Sequence, residues 1–394
     1  SFDNYPSHEN WNALVLDNDL FRAAKPGRRH WLMETSVSHN GWFGNHETAH
    51  PAGFLVAEAV SSYALGAEAV CYWLWRQQRT GCELPHSAIM SAWFKPSIGY
   101  AQVQAVEAAR KQLATLLRGS RPAPAEVAIT WSDLGRAMLQ TEPLGGNKTN
   151  EVSYNGTIMR WHRQLLDAGL HRDVRFEGAS LDGLKLLITP MMPHVSADFL
   201  QRVEAMVRAG GVWICAPVTG TRTKEHTVPT DAGLGAVEAL AGVETVYSFP
   251  VTATGATGEA FGLSAPLAGW CSALRVRSAD THSIGDLRTP LALEPLAFLT
   301  ERKLGAGAIV VLAAQPEGEV GAELLQKIVV HYATRAGVTE CYRATAGTIV
   351  CPWIEETGQR FWIAVNLDGR GGEARVGEGS AVKLKAYEWR VVRT

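Results

Sequence analysis

Four residues within the first ninety carry side chains suited to chemistry on a neutral, hydroxyl-rich substrate. Glu34 closes the apolar run "HWLME", and an acid at the end of a buried-looking strand is well placed to act as a nucleophile. Covalent glycosyl transfer needs an ionised carboxylate pointing at an anomeric carbon. The plainer alternative is a strand-end glutamate hydrogen-bonded to a loop. Glu83 and His86 stand three residues apart in "RTGCELPH". Adjacent hydroxyls of a hexose need an acceptor beside a group that both donates and accepts, and this pair supplies both. The alternative is a solvated loop with an ordinary histidine; as a metal site, two ligands with no third nearby are weak. Trp42, eight residues past Glu34, is suited to form the aromatic floor of a sugar subsite.

Such residues need strands to hold them. "RHWLME" and "AEAVCYWLWR" read as strands, separated by a helix over "PAGFLVAEAVSSYALG" with Pro51 in its first turn and Gly66 at its stop. A further helix is predicted from about Ser97 to Leu117, where Tyr100, Val103, Val106, Ala109, Leu113 and Leu116 recur at helical spacing. Strand–helix alternation implies a parallel sheet with crossover helices. Sheets of that kind present chemistry at the carboxyl ends of their strands. Glu34 lies at one such end, and Arg76, Gln77, Glu83 and His86 follow the other. Even with "SFDNYP" counted as a strand, three are too few to bury both faces.

"RGSRPAPAE" (118–126) reads as a Pro-rich linker and a domain boundary. Beyond it "EVAITWS", "LKLLITP" and "VWICAP" read as strands of an open doubly wound sheet. Its helices are "YNGTIMRWHRQLLDAGL" and "SADFLQRVEAMVRAGG", the latter with Ser196 as N-cap and Gly210 past its end. The Gly-rich stretch from "AGLGAVEALAG" to "TATGATG" reads as loops with short strands. "GAIVVLAA" and a helix at 319–336 close the domain. From Gly337 the pattern alternates without helices, as in a small antiparallel sandwich. The domain boundaries are 1–118, 124–336 and 337–394. Doubly wound domains of this type resemble class I amidotransferases, whose cysteine sits on a strand-to-helix elbow. Cys215 is followed by Ala216 and Pro217 instead, and it reads as a buried core thiol.

Composition narrows the classes. A formal net charge of −2 leaves no electrostatic footprint for nucleic acid or an anionic membrane. No apolar run approaches the ~18–20 residues of a spanning helix, and Asp3, Glu9, Asp17 and Asp19 argue against a signal peptide. Six scattered cysteines without a CxxC pair suggest reduced thiols, a cytoplasmic protein and no metal cluster. Thirteen tryptophans, six of them in the first hundred residues, are a mild hint of sugar stacking.

The stretch "WLMETSVSHNGW", followed by "PAGFLVAEAVSSYALGAEAVCYWLWRQQRTGCELPHSAIM", resembles the late barrel of glycoside hydrolase family forty-two β-galactosidases. The linker, the doubly wound domain and the sandwich follow in that family's order. The resemblance implies an α/β chain: the C-terminal part of a (β/α)8 barrel, a flavodoxin- or amidotransferase-like trimerisation domain, and a small antiparallel β-sandwich. It implies Glu34 as the nucleophile of a retaining β-galactosidase. Trp42, Glu83 and His86 would line the galactose subsite, with Trp73 close by and Asp3 in the pocket wall. It also implies a galactoside substrate, a homotrimer and no cofactor.

Two departures stand out, the missing early strands and a run of histidines. The family's proton donor is a Glu following Asn on the fourth barrel strand, which these residues do not include. Ser1 falls roughly where the sixth strand would begin, so the chain reads as the C-terminal part of a longer enzyme, expected to be inactive alone. Structural zinc, where the family has it, sits on cysteines of the missing portion. "SVSHNGWFGNHETAH" is also rich in histidine, and His39, His46 and His50 are expected to alter the subsite. Two alternatives remain at this stage. One is α-L-arabinopyranosidase activity, because that sugar is galactose without its hydroxymethyl group. The other is a non-catalytic assembly module.

Overall fold

The computed structural model describes residues 11–46, 48–144, 152–251, 255–291 and 294–393. Asp3 and the rest of "SFDNYP" lie outside them. The chain divides into two compact units, one made of Ser1–Pro124 with Cys341–Thr394, the other of Ala125–Glu340.

The first unit opens with a helix, α1 (Trp11–Ala24), over a stretch for which no element was expected. Its Asp17, Asn18 and Asp19 are buried beside Leu14, Val15 and Leu16. Asn18 donates to Leu14 O at 2.8 Å and meets His30 Nε2 at 2.9 Å, while Asp19 accepts from Arg22 at 2.8 Å. Burial pushes the Asp17 carboxyl up to about 7. These polar groups are internal fittings, so they break the apolar periodicity by which a helix is recognised.

Next come β1 (His30–Ser36), α2 (Phe54–Ala64), β2 (Ala67–Trp73) and α3 (Tyr100–Leu117). β1 and β2 pair in parallel, with α2 as the crossover between them. Every residue of α2 except Val56 is buried, the mark of an interior helix. α3 buries one stripe only, Val106, Ala109, Leu113 and Leu117.

The Pro-rich stretch does not stay a free linker. Arg121–Pro122 pairs with Trp353–Ile354 as an edge strand, where proline is tolerated. That sheet runs in the order 389–393, 360–366, 348–354, 121–122, and a three-stranded sheet of 342–344, 372–376 and 382–384 accompanies it. Tyr342, Val350, Ala364, Ala374 and Leu384 form their common core. Trp353 is fully buried and donates its indole N–H to Ala64 O, at the end of α2, at 2.8 Å. The guanidinium of Arg29 lies over the same ring, 5.5 Å from its centroid. The C-terminal strands are therefore joined to the N-terminal segment in one unit.

In the second unit, five parallel strands lie in the order Gly307–Leu312, Val212–Cys215, Leu186–Thr189, Val127–Trp131 and Arg172–Phe176. Three helices start on serine caps: Ser132, Ser153 and Ser196 accept from the backbone N–H of Gly135, Gly156 and Phe199. The Gly-rich region, expected as loops with short strands, holds a short helix, Ala236–Ala241, and then enters an antiparallel extension of the same sheet. It runs through Val243–Val251, Thr257–Ala260, Leu263–Val276, Thr281–Arg288 and Leu296–Leu304. Two glycines of this extension serve close packing. A Cβ on Gly258 would stand 2.6 Å from the Phe298 ring, and one on Gly285 2.4 Å from Glu259 O. Among the described residues no helix is long and apolar enough to cross a membrane.

Candidate active site

β1 holds its acid by breaking its own pattern. Leu32 pairs with Val70 and Thr35 with Tyr72, so three steps on β1 face two on β2. The extra residue is a β-bulge at Met33–Glu34. A regular strand alternates its faces. Here Met33 and Glu34 are both exposed and Thr35 and Ser36 are both buried. The bulge turns the Glu34 carboxylate outward, and no hydrogen bond among the described residues uses it.

The end of β2 carries Trp73, which pairs with Ser36 and is 37% exposed. The peptide bond that follows it is cis. The Trp73 indole N–H donates to Glu83 Oε2 at 3.1 Å, and the Gln78 amide donates to the same oxygen at 3.1 Å. Glu83 is thus held by two donors. His86 is buried, with Nδ1 2.9 Å from Ser87 O. A carbonyl oxygen only accepts, so Nδ1 carries the hydrogen and Nε2 of the neutral ring is an acceptor.

Two loops are laced together around these residues. Phe43 N donates to Cys82 O at 2.8 Å, and Ser87 Oγ accepts from the backbone N–H of Ser38 and His39 at 3.0 and 3.1 Å. His39 Nε2 reaches Pro85 O at 2.9 Å. Gly41 lets the backbones meet, since a Cβ there would lie 2.9 Å from Pro85 O. Trp42, half-buried, is thereby fixed on a loop bound to the one that carries Glu83 and His86. His39 belongs to the lacing, and His50 is buried with its ring 3.0 Å from Ser36 Oγ. The side chain of His46, like Asp3, lies outside the described residues.

One participant escaped the sequence reading. Glu58 on α2 is fully buried, and Thr35 Oγ1 donates to its Oε1 at 2.7 Å. The available signal was a single charged residue in the otherwise uncharged helix "FLVAEAVSSYA". Burial pushes its carboxyl up to about 8. Cys215, at the end of a parallel strand of the second unit, is also fully buried, and desolvation pushes its thiol up to about 12. Such a thiol is inert. Among the described residues no group of three or more His, Cys, Asp or Glu is arranged to hold a metal.

Known proteins match both units of the chain. The family described as "Beta-galactosidase" matches residues 1–113, and "Beta-galactosidase trimerisation domain" matches residues 125–338. The chain is 43% identical to β-galactosidase YesZ of Bacillus subtilis, over 96% of its own length and 56% of that protein's. To the YesZ of Bacillus licheniformis it is 42% identical, over 94% of its own length and 55% of that protein's. It therefore spans about half the length of these relatives. The crystal structure of a β-galactosidase from Bacillus circulans sp. alkalophilus superposes with a TM-score of 0.87 at 18% identity, covering 100% of this chain and 59% of that one. The fold is common to both. With its first 113 residues and its second unit both matched, the chain belongs to the glycoside hydrolase family forty-two β-galactosidases.

Proposed function

We propose that, in the complete protein, this site hydrolyses terminal β-D-galactosides with retention of configuration. The observation that carries the proposal is the bulge-exposed Glu34 on the strand beside the Trp73–Glu83 pair. In the first step the Glu34 carboxylate bonds to the anomeric carbon as the bond to the leaving oxygen breaks. A second carboxylic acid gives its proton to that oxygen, then takes one from the water that hydrolyses the glycosyl ester. Retention requires the two carboxyls to stand ~5–5.5 Å apart. The family resemblance assigns the second to a glutamate on a barrel strand outside these residues. Two carboxyl groups and water suffice for this reaction, which calls on no cofactor.

Sugar recognition falls to the laced loops. The rings of Trp42 and Trp73 suit the apolar face of a pyranose. Glu83 accepts from one hydroxyl, and Nε2 of His86 accepts from its neighbour. The second unit, matched as a trimerisation domain, would assemble three copies. A cytoplasmic location belongs to the same proposal, and six free cysteines suit a reducing compartment.

A mechanism-based 2-fluoro-galactoside, followed by peptide mapping of the full-length protein, tests the nucleophile. The label is expected on the peptide containing Glu34. A label on any other carboxylate would overturn the assignment.

A further inference from the structure

We propose that Glu58 is a positioning residue for the nucleophile: through Thr35 it pins the β1 bulge that turns Glu34 out of the sheet. The proposal rests on Glu34 being the nucleophile.

A bulge leaves its residues unpaired, so the direction of Glu34 depends on what anchors the strand immediately afterwards. A slip of one residue would either draw Glu34 into the buried place of Thr35 or push Thr35 out into the exposed place of Glu34. Backbone pairing of Thr35 with Tyr72 resists the slip. The side-chain bond from Thr35 Oγ1 to Glu58 Oε1, 2.7 Å long and wholly buried, resists it from the helix side. Glu58 sits on the crossover helix between the two paired strands, so its contact ties β1 to α2 at the residue that pairs with Tyr72 of β2.

The chemistry of Glu58 supports this role. Its Oε2, like the Tyr72 hydroxyl, is buried without a protein partner. Burying an acid in that way is costly, and a leucine would fill the same place without the penalty. A leucine cannot accept the Thr35 hydroxyl. Desolvation also keeps Glu58 neutral near pH 7. The clamp then adds no negative charge behind a nucleophile that must itself stay ionised.

The test uses the full-length enzyme and the variants Glu58→Leu, Glu58→Gln and Thr35→Val. Glu58→Leu and Thr35→Val should each lower kcat by about 10–100-fold, the scale of a misdirected reactive group. KM should change by less than about threefold, because the sugar-binding loops are untouched. The rate at which the fluoro-galactoside labels Glu34 should fall in step with kcat. Glu58→Gln retains an acceptor for Thr35 and the neutral shape, and should restore both rates to within about threefold of wild type. The double variant should be no worse than the poorer single one, because both remove the same bond. If Glu58→Leu does not fold, the near-isosteric Thr35→Val carries the test. Wild-type kcat in folded Glu58→Leu or Thr35→Val, or a Glu58→Gln as damaged as Glu58→Leu, would overturn the clamp. Label appearing on a residue other than Glu34 has a different signature: it removes the nucleophile assignment, and the clamp with it.

Discussion

The chain contains two parallel-strand layers with crossover helices, and their carboxyl ends are finished differently. In the second unit Val127–Trp131, Leu186–Thr189 and Val212–Cys215 are buried throughout. Polar side chains at their ends are used internally: the Trp213 indole N–H donates to Thr189 Oγ1 at 2.8 Å, and Ser132 caps the following helix. Cys215 ends its strand as packing. In the first unit a bulge throws Glu34 outward, Trp73 stays partly exposed, and Glu83 is held ready by two donors. Like architectures thus end in a core in one case and a candidate site in the other. The difference lies in which side chains at strand ends are left open, since function is grafted on a fold rather than implied by it.

The sharpest way to break that contrast is to change one strand end in each unit. Glu34→Gln in the full-length enzyme should lower turnover of an aryl β-galactoside by several orders of magnitude, with the circular dichroism spectrum unchanged. The amide keeps the shape and cannot form the covalent intermediate. Cys215→Ala should leave turnover within about twofold of wild type. Near-normal turnover in the first variant, or loss in the second, would reverse the roles of the two units.

A smaller effect is expected in the laced loops. Glu83→Ala and His86→Ala should each cost about 2–4 kcal/mol in transition-state stabilisation, read from kcat/KM, if the side chains hold sugar hydroxyls in a dry pocket. Losses of only a few-fold in both would describe a solvated loop.

Stability against pH separates the units further. Glu58 and Asp17 lie in the first, and burial raises both carboxyls, from 4.5 to about 8 and from 3.8 to about 7. A raised folded value means that the native state holds its proton where the unfolded chain has lost it. The stabilisation is complete below the unfolded value and is lost as pH climbs through the folded one. Each group should contribute a slope of about 1.4 kcal/mol per pH unit between its two values. The thermal midpoint of the chain should therefore fall between pH 4.5 and 8, and Glu58→Gln with Asp17→Asn should flatten the decline. An unchanged slope in that double variant would show that other groups control it.

The smallest expected effect belongs to the second unit. Trp213→Phe keeps a ring but leaves the buried Thr189 hydroxyl without its indole donor, at a cost of about 1–2 kcal/mol. Denaturant unfolding should show the loss, and galactoside turnover should be unaltered. A fall in turnover matching that of a loop variant would connect this layer to the chemistry after all.

Much of this was legible along the chain. The strand–helix alternation, the Ser196 cap and the acid at the end of "HWLME" are local features that hydrophobic period and capping chemistry dictate. The motif around Glu34, Trp42, Glu83 and His86 was enough to suggest the family. Other features were decided only by tertiary contact. α1 was hidden because Asp17, Asn18 and Asp19 find buried surroundings in space that no window of sequence reveals. The start of the antiparallel extension looked like loops because a glycine such as Gly258 answers to Phe298, its neighbour across the sheet. The bulge exists only as a mismatch between two strands more than thirty residues apart. Glu58 became meaningful only when α2 folded over Thr35. Period and caps act within a few residues, whereas register, lacing and burial are properties of contacts that the chain makes only once it is folded.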